Sequence, residues 1–501
     1  MSKNRSLPET FYNPLSLAGG VLAFISFATI VFLTLIELVV GDTPAYVGIL
    51  SYVVLPIPLI AGIVLFVVGV VRERRRLSRG LPASRVALTI DMNVPGTRRA
   101  VTFLSTGTFL FLLFSAYGSY RVFEWTESTE FCGALCHTVM EPEYTAYQHS
   151  PHARVACVDC HVGSGAGWYV RSKLSGAYQV YATLADVYPR PIPTPIQNLR
   201  PAQETCEQCH WPSHFAGEKK YVNTYFSSDE DNHRWTVALL MRIGGGDPDR
   251  GPAQGIHWHM NIANEIEYVA TDSTRQTIPW VRARNKSTGE VTEYIADDAE
   301  LSAEEYRAQT PRRMDCIDCH NRPSHIYRPP TRIMDQAMAL GQISPALPGI
   351  RAAGIQVLVA DYTTAEAAMD SIPLLLKEQY ASNAPDVLEQ QREELDQAIA
   401  VLQREYGRNF FPQMDVSWQA YPNNIGHMDV PGCFRCHDGS HRSPAGTAVS
   451  HTCNGACHTF LYQGPDPSPA TYAVAGEDFQ HPGEVGDLWR ETMCNDCHSG
   501  Q

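Results

Sequence analysis

The hydrophobic pattern divides the chain unevenly. Three stretches near its start are apolar on every face: Leu15 to Val40 with Glu37 as its only charge, Tyr46 to Val71 with none, and Val101 to Tyr120 with none. Each is long enough to cross a bilayer core as a helix. The first is too long for a signal-peptide core and lacks a small-residue cleavage site, so it reads as an uncleaved helix. Spans over about 15–40, 46–71 and 101–123 are expected. Later, between residues 219 and 296, apolar and polar residues alternate in Tyr221–Phe226, Trp235–Ile243, Ile278–Arg284 and Glu290–Ile295, the last two flanking a Ser287-Thr288-Gly289 turn. That period predicts a small sheet. Farther on, Thr363-Thr-Ala-Glu366 reads as a capping box opening a helix to about Tyr380, and Pro385 to Arg408 reads as another. The expected fold class is mainly α: three transmembrane helices plus a further domain with little regular structure, a small β insertion and a helical spacer.

Charge orients the apolar part. The connection from Arg72 to Arg99 holds eight Arg against Glu73 and Asp91, whereas Gly41 to Ala45 holds only Asp42. An Arg-rich loop belongs in the cytoplasm, which puts the N-terminus inside and everything after Arg121 outside, across a bacterial inner membrane. Residues 1–125 carry 11 Lys+Arg and 6 Asp+Glu, leaving 28 and 47 for the remainder. An exported part this acidic disfavours nucleic acid and suits a basic protein partner.

Cysteine supplies the chemistry. The chain has 14 Cys and 18 His, and every Cys belongs to a pair followed at once by His. Five pairs read C-x-x-C-H: Cys157/Cys160/His161, Cys206/Cys209/His210, Cys316/Cys319/His320, Cys433/Cys436/His437 and Cys494/Cys497/His498. Cys132/Cys136/His137 and Cys453/Cys457/His458 are stretched by one residue. At this composition chance yields roughly 0.01 C-x-x-C-H matches. The spacing suits covalent haem: two thiols reach the two vinyl groups on one porphyrin edge, and the next imidazole binds the iron from below. Zinc ribbons combine their cysteines in fours without a His after each pair, and a disulfide framework does not call for such short, uniformly His-flanked loops. Seven haems c are expected, with the seven motif histidines as proximal ligands. Eleven further histidines could supply distal ligands, and the candidates are His152, His325, His427, His441, His481 and one of His257 and His259. Six-coordinate iron favours electron transfer over substrate binding. Motif spacing gives a membrane domain over 1–125, a four-haem domain over 126–330 with its β insertion at 219–296, a helical spacer over 331–420 and a three-haem domain over 421–501. With porphyrins this dense, they themselves are expected to serve as the core of the exported part.

The run Phe131-Cys-Gly-Ala-Leu-Cys-His-Thr-Val-Met140, followed by Tyr147-Gln-His-Ser-Pro-His152 and Cys157-Val-Asp-Cys-His-Val162, resembles the start of the NapC/NirT family of membrane-anchored quinol dehydrogenases. Cys316-Ile-Asp-Cys-His-Asn-Arg-Pro-Ser-His325 resembles the family's fourth haem site and its following ligand histidine. The likeness covers roughly residues 120–330. Three membrane helices instead of one, and three extra motifs, are departures from the family minimum. The extended layout, including Tyr421-Pro-Asn-Asn-Ile-Gly-His427 before Cys433, is similar to the seven-haem inner-membrane quinol dehydrogenases of metal-respiring bacteria. The resemblance implies oxidation of a (mena)quinol at the membrane surface and delivery of its electrons to a periplasmic c-type cytochrome or an outer-membrane conduit, in anaerobic or extracellular respiration. The family uses a lysine after the second motif at the quinol; Lys173 is the matching position, and Glu37, Glu124 and Asp186 are further proton-accepting candidates. The family's first motif is C-x-x-C-H-x-M with Met as a ligand, whereas Met140 lies three residues after His137, so Met ligation and a five-coordinate iron both stay open. Two other classes also stay open: an electron-relay subunit of a larger membrane complex without its own quinol site, and a terminal multihaem reductase.

Overall fold

The computed structural model describes residues 9–40, 54–84, 92–163, 165–196, 200–245, 255–466, 471–483 and 485–500. The chain divides into two compact units, one comprising the chain up to Ser128 together with His161–Gln179, the other Thr129–Cys160 together with Val180 onward.

In the first unit the apolar stretches are helices: α1 (Pro14–Val40), α2 (Pro56–Ser78) and α3 (Pro95–Thr126). All three are long and apolar enough to cross a membrane. The second was expected from residue 46, but 46–53 lie outside the described residues, and α2 starts at Pro56, where a proline costs no intrahelical bond. α2 also runs past Val71 through the arginines, with Arg75 and Arg76 in its last turn, where cations suit the helix dipole. Asn13 caps α1, its Oδ1 accepting from Ser16 N at 2.9 Å. α1 and α2 pack through small residues: a Cβ on Gly62 would lie 2.6 Å from Ala23 N, and Ser16 Oγ donates to Phe66 O at 3.1 Å. In lipid, close backbone approach and interhelical hydrogen bonds replace the hydrophobic effect as the source of helix association.

The second unit opens with α4 (His137–Gln148). A further helix, α5 (Ala166–Leu184), begins in the first unit and ends in the second. The alternating region forms two antiparallel sheets instead of the one expected. β1 (Glu218–Phe226), β2 (Arg234–Arg242) and β7 (His458–Gly464) make one, in the order β1-β2-β7. β3 (Asn264–Val269), β4 (Trp280–Asn285), β5 (Val291–Ile295) and β6 (Arg312–Arg313) make the other, in the order β5-β4-β3-β6. β7 escaped the sequence reading because it starts on a motif histidine and pairs with a strand more than 200 residues earlier, from Met241↔His458 to Thr236↔Gly464.

The helical stretch contains α6 (Pro330–Ala339), α7 (Ile350–Val359), α8 (Ala365–Asn383) and α9 (Arg392–Asn409). Thr364, one residue later than expected, caps α8, its hydroxyl accepting from Ala367 N at 3.1 Å. The helix expected from Pro385 breaks at Gln391, leaving a short Pro385–Gln390 turn ahead of α9. These helices correct the expectation that porphyrins alone form the core. Ile333, Met334, Ile343, Leu347, Ile350, Ile372, Leu376 and Leu402 are sealed in one apolar cluster. Each such side chain contributes about 1.5–3 kcal/mol by leaving water. The cluster is tied to the first sheet by Asp335, which accepts from Phe226 N at 3.1 Å and pairs with Arg351 at 2.7 Å, and by Asn232, which donates to Leu347 O at 2.8 Å.

Leu376→Ala therefore lowers the stability of the second unit by about 2–5 kcal/mol even with haem attached. Thermal unfolding of the haem-loaded protein checks this; an unchanged midpoint would mean that the porphyrins, and not the helices, hold this region together.

Candidate functional site

Five of the motif histidines face a histidine from elsewhere in the sequence. Ring centres are 6.0 Å apart for His210 and His152, 6.4 Å for His320 and His257, 5.8 Å for His437 and His259, 6.2 Å for His458 and His427, and 6.0 Å for His498 and His481. Two metal–imidazole bonds of about 2 Å each, plus the offset from each nitrogen to its ring centre, add up to about 6 Å. The residues therefore fit an iron held between paired imidazoles.

Hydrogen bonds set the tautomers. Nδ1 donates to a main-chain carbonyl in His152 (Pro323 O, 3.2 Å), His257 (Ile243 O, 3.0 Å), His259 (Ile256 O, 3.1 Å) and His437 (Ser450 O, 2.6 Å). A carbonyl only accepts, so the proton sits on Nδ1 and Nε2 presents its lone pair, the arrangement a metal requires. Burial holds His257, His259, His320, His427, His437, His458 and His498 below the usual histidine range, with His259 and His458 down at about 4, which keeps the rings neutral. His427 and His458 bury Nδ1 without a hydrogen-bond partner among the described residues. His481 differs, its Nδ1 accepting from Gly483 N at 3.1 Å.

Local backbone explains how one His-Trp-His run serves two motifs. Trp258–Met260 is a single tight turn after β2, so His257 and His259 point at different motif histidines, where only one of them was expected to contribute. Gly245 and Gly255 have φ of +93° and +106°; a Cβ on Gly245 would lie 2.5 Å from His257 O, and one on Gly255 would meet Arg242 O. Only glycine permits this return of the chain.

The motifs also approach one another in chain order. A hydrogen bond from Cys132 pulls Cys157 down to about 7, Cys206 and Cys316 are hydrogen-bonded, and charge interactions link Cys160 to Cys206, Cys319 to Cys433, Cys457 to Cys433 and Cys494 to Cys453. Four of the cysteines expected to tether haem take no part in those links. Cys436 is half-buried and is linked by charge to Cys319 of the fourth motif. Cys136 is half-buried just ahead of α4, its carbonyl accepting from Met140 N at 2.9 Å. Cys209 is exposed, its N–H donating to Cys206 O at 3.1 Å, and across motifs its charge is felt by Cys160. Cys497 is exposed at the end of the short Cys494–Cys497 helix, where its charge is felt by Cys494 of its own motif. Each is the second cysteine of its motif.

Other sequence candidates fall elsewhere. His441 is buried with both ring nitrogens engaged, Nδ1 with Asp438 Oδ1 at 2.8 Å and Nε2 with Ile278 O at 2.7 Å, which leaves no lone pair for iron. His325 lies against Glu143, with Nδ1 3.0 Å from both its carbonyl and its carboxylate. Met140 is half-buried in the first turn of α4, while the side chains of His137 and Glu37 lie outside the described residues. Asp186 is exposed and paired with Arg190 at 2.6 Å, and Glu124 is paired with Arg121 at 2.6 Å. Within the first unit, Lys173 Nζ lies 3.5 Å from Glu127 Oε1 and 5.0 Å from the Tyr169 ring centre, and Tyr169 lies 6.2 Å from Phe123. Glu127 went unnoticed in the sequence; its position one residue beyond α3 and one turn before Cys132 was the available signal.

The N-terminal-region model of the NapC/NirT cytochrome c family matches residues 95–191. The chain is similar to the cytochrome c-type protein ImcH of Geobacter sulfurreducens, with 43% identity over 97% of this chain and 95% of that protein. It is also similar to the cytochrome c-type protein NrfH of Wolinella succinogenes, with 35% identity over 78 residues, 15% of this chain and 44% of that protein. No solved structure matches the chain.

His441 donates from both nitrogens, so it is an imidazolium. Burial would lower its pKa, but the hydrogen bonds to Asp438 and Ile278 O outweigh burial and raise it above 6.5. Its stabilisation is complete below pH 6.5 and is lost as pH rises through the raised value. Thermal melts taken between about pH 5 and 9 should show the wild-type midpoint falling across that window relative to His441→Gln. Parallel curves for the two proteins would contradict a charged His441.

Proposed function

Because the chain belongs to the NapC/NirT cytochrome c family, we propose that it is a membrane quinol dehydrogenase that delivers electrons from quinol, menaquinol included, to a periplasmic acceptor in anaerobic or extracellular respiration. The observation that carries this reading is the set of five histidine pairs with ring centres 5.8–6.4 Å apart, each containing one motif histidine. Iron with both axial positions filled has no site for a substrate, which favours electron carriage over terminal reduction.

The 14 cysteines would tether seven haems c, with His137, His161, His210, His320, His437, His458 and His498 as proximal ligands. Bound haem supplies a one-electron couple at each motif. His152, His257, His259, His427 and His481 would hold the iron opposite the motif histidines at motifs three to seven, and His325 and Met140 would be left for the first two. His441 drops out of the ligand set.

Quinol oxidation must dispose of protons as well as electrons. Lys173 Nζ offers a donor that orients a quinol oxygen, and the Glu127 carboxylate beside it accepts the proton, its buried Oε1 lying 3.5 Å from Nζ and having no hydrogen bond among the described residues. Tyr169 and Phe123 add aromatic faces for a flat ring. With the Arg-rich Arg72–Arg99 connection in the cytoplasm, the motifs lie on the periplasmic side of the inner membrane. There the acidic surface favours basic acceptors, such as periplasmic c-type cytochromes or a conduit to the outer membrane.

Mixed anaerobically with a menaquinol analogue, the detergent-purified protein should develop its reduced α-band rapidly, and Lys173→Ala and Glu127→Gln should slow this by about 10²-fold. Ready reduction by a soluble donor but none by quinol would leave a relay fed by a protein partner. His259→Ala should convert one haem to a five-coordinate form that binds carbon monoxide; an unchanged low-spin spectrum would remove the assignment of that ligand.

A further inference from the structure

Arg435 lies between the two cysteines of the fifth motif, in Cys433-Phe-Arg-Cys436, and is only 9% exposed. Its guanidinium spends its donors on main-chain carbonyls: Nε to Gly432 O at 2.8 Å, Nη1 to Arg275 O at 2.9 Å and Nη2 to Asp318 O at 2.7 Å. The nearby carboxylates are already committed. Asp318 Oδ1 takes Arg312 Nε at 2.9 Å, Arg275 Nη1 at 3.1 Å and the Tyr268 hydroxyl at 2.7 Å; Asp315 takes Arg312 at 3.3 Å, and Asp438 takes His441 at 2.8 Å. Among the described residues no carboxylate forms an ion pair with Arg435.

A buried charge without a counter-ion is costly, and three carbonyl dipoles offset only part of that cost. The position of this charge tells what it can act on. Asp318, whose carbonyl it holds, stands inside the fourth motif, Cys316-Ile-Asp-Cys319, while Arg435 itself stands inside the fifth. Cys319 follows Asp318 directly in the chain, and Cys433 and Cys436 flank Arg435 in its own motif, so the guanidinium stands next to attachment points on both sides. Arg435 is thus wedged between the attachment points of two successive motifs, in surroundings too dry to screen it.

We propose that Arg435 sets reduction potential: its unpaired buried charge raises the potentials of the haems held at the fourth and fifth motifs, so that electrons settle in the middle of the chain of motifs. Gaining one electron lowers the positive charge at the iron by one, and a fixed cation nearby favours that reduced form. No bond or proton is involved; the effect is a displaced equilibrium. The inference rests on the reading that each motif holds a haem.

The test is a spectroelectrochemical titration of the purified, haem-loaded protein as wild type, Arg435→Gln and Arg435→Lys. Haem stoichiometry is measured by pyridine haemochrome and by the masses of the motif-four and motif-five peptides. With seven haems present, Arg435→Gln should shift one or two components of the curve negative by tenfold or more in the reduction equilibrium, about 59 mV for a one-electron couple. Arg435→Lys, which keeps the charge and loses the fork, should leave them near their wild-type values. An unshifted Arg435→Gln curve at full haem content overturns the proposal, as does an Arg435→Lys curve displaced as far as that of Arg435→Gln. Should Arg435→Gln not assemble, Arg275→Gln, which leaves the Asp318 carboxylate less compensated in the same field, must lower the same components; failure to do so also overturns it. A wild-type protein whose motif-four or motif-five peptide lacks haem mass would instead sink the underlying haem assignment.

Discussion

The separation between paired imidazoles is the constraint on which the second unit depends. Two rings with centres about 6 Å apart leave space for one metal and for little else, and a single turn of chain cannot present both. Each motif carries one ring of its own, so the opposite ring has to come from elsewhere: His152 lies ahead of motif three, and His259 lies more than 170 residues ahead of His437. The elements that hold those segments follow from this requirement. The turn after β2 offers His257 and His259 to motifs four and five, and β7 begins on His458 and joins β2 as a third strand. The alternating region that reads as an insertion between motifs therefore leads into the histidines that face motifs four and five, and it pairs with a strand from the far end of the chain.

The motifs and the membrane helices were legible in the sequence because each depends on neighbours along the chain. Two cysteines and a histidine in five residues, or twenty apolar residues in a row, need no tertiary information. Distal partners are a different matter. His441 and His427 look equivalent as lone histidines flanking motif five, yet His427 faces His458 while His441 is sealed between Asp438 and the Ile278 carbonyl. What separates them is burial beside a second ring, which no local pattern encodes. The same reason hid Asn264–Val269: its Asn-Glu-Ile-Glu-Tyr-Val pattern is short and acidic, and it becomes a strand because β4 and β6 pair with its two edges.

The helical stretch was legible as helix but misread as a spacer. Its helices bury aliphatic side chains as completely as a haem-free domain does, and Asp335 and Asn232 bolt them to the β1–β2 hairpin. A scaffold that relied on porphyrins for its whole core could not be rigid before they were attached. Here one wall of the structure has its own apolar reason to form. The hairpin that leads into His257 and His259 is held to that wall, so the spacing of these ring pairs draws on ordinary hydrophobic packing.

Electrostatics runs in opposite senses inside and out. Beyond residue 125 the chain is acidic, with 47 Asp+Glu against 28 Lys+Arg, which on the surface favours approach by cations. Between the fourth and fifth motifs the balance reverses: Arg275, Arg312 and Arg435 converge on the single buried carboxylate of Asp318 and its carbonyl. Surface charge is screened by salt within about 8 Å at physiological ionic strength, whereas buried charge is screened far less. The acidic exterior can therefore govern which partner docks without fixing the energy of an electron in the interior. A few buried arginines can fix that energy without altering docking. Separating the two in space lets partner choice and internal electron energy be adjusted by different residues, and Arg435, the one buried guanidinium without a carboxylate partner among the described residues, lies where the internal role would be exercised.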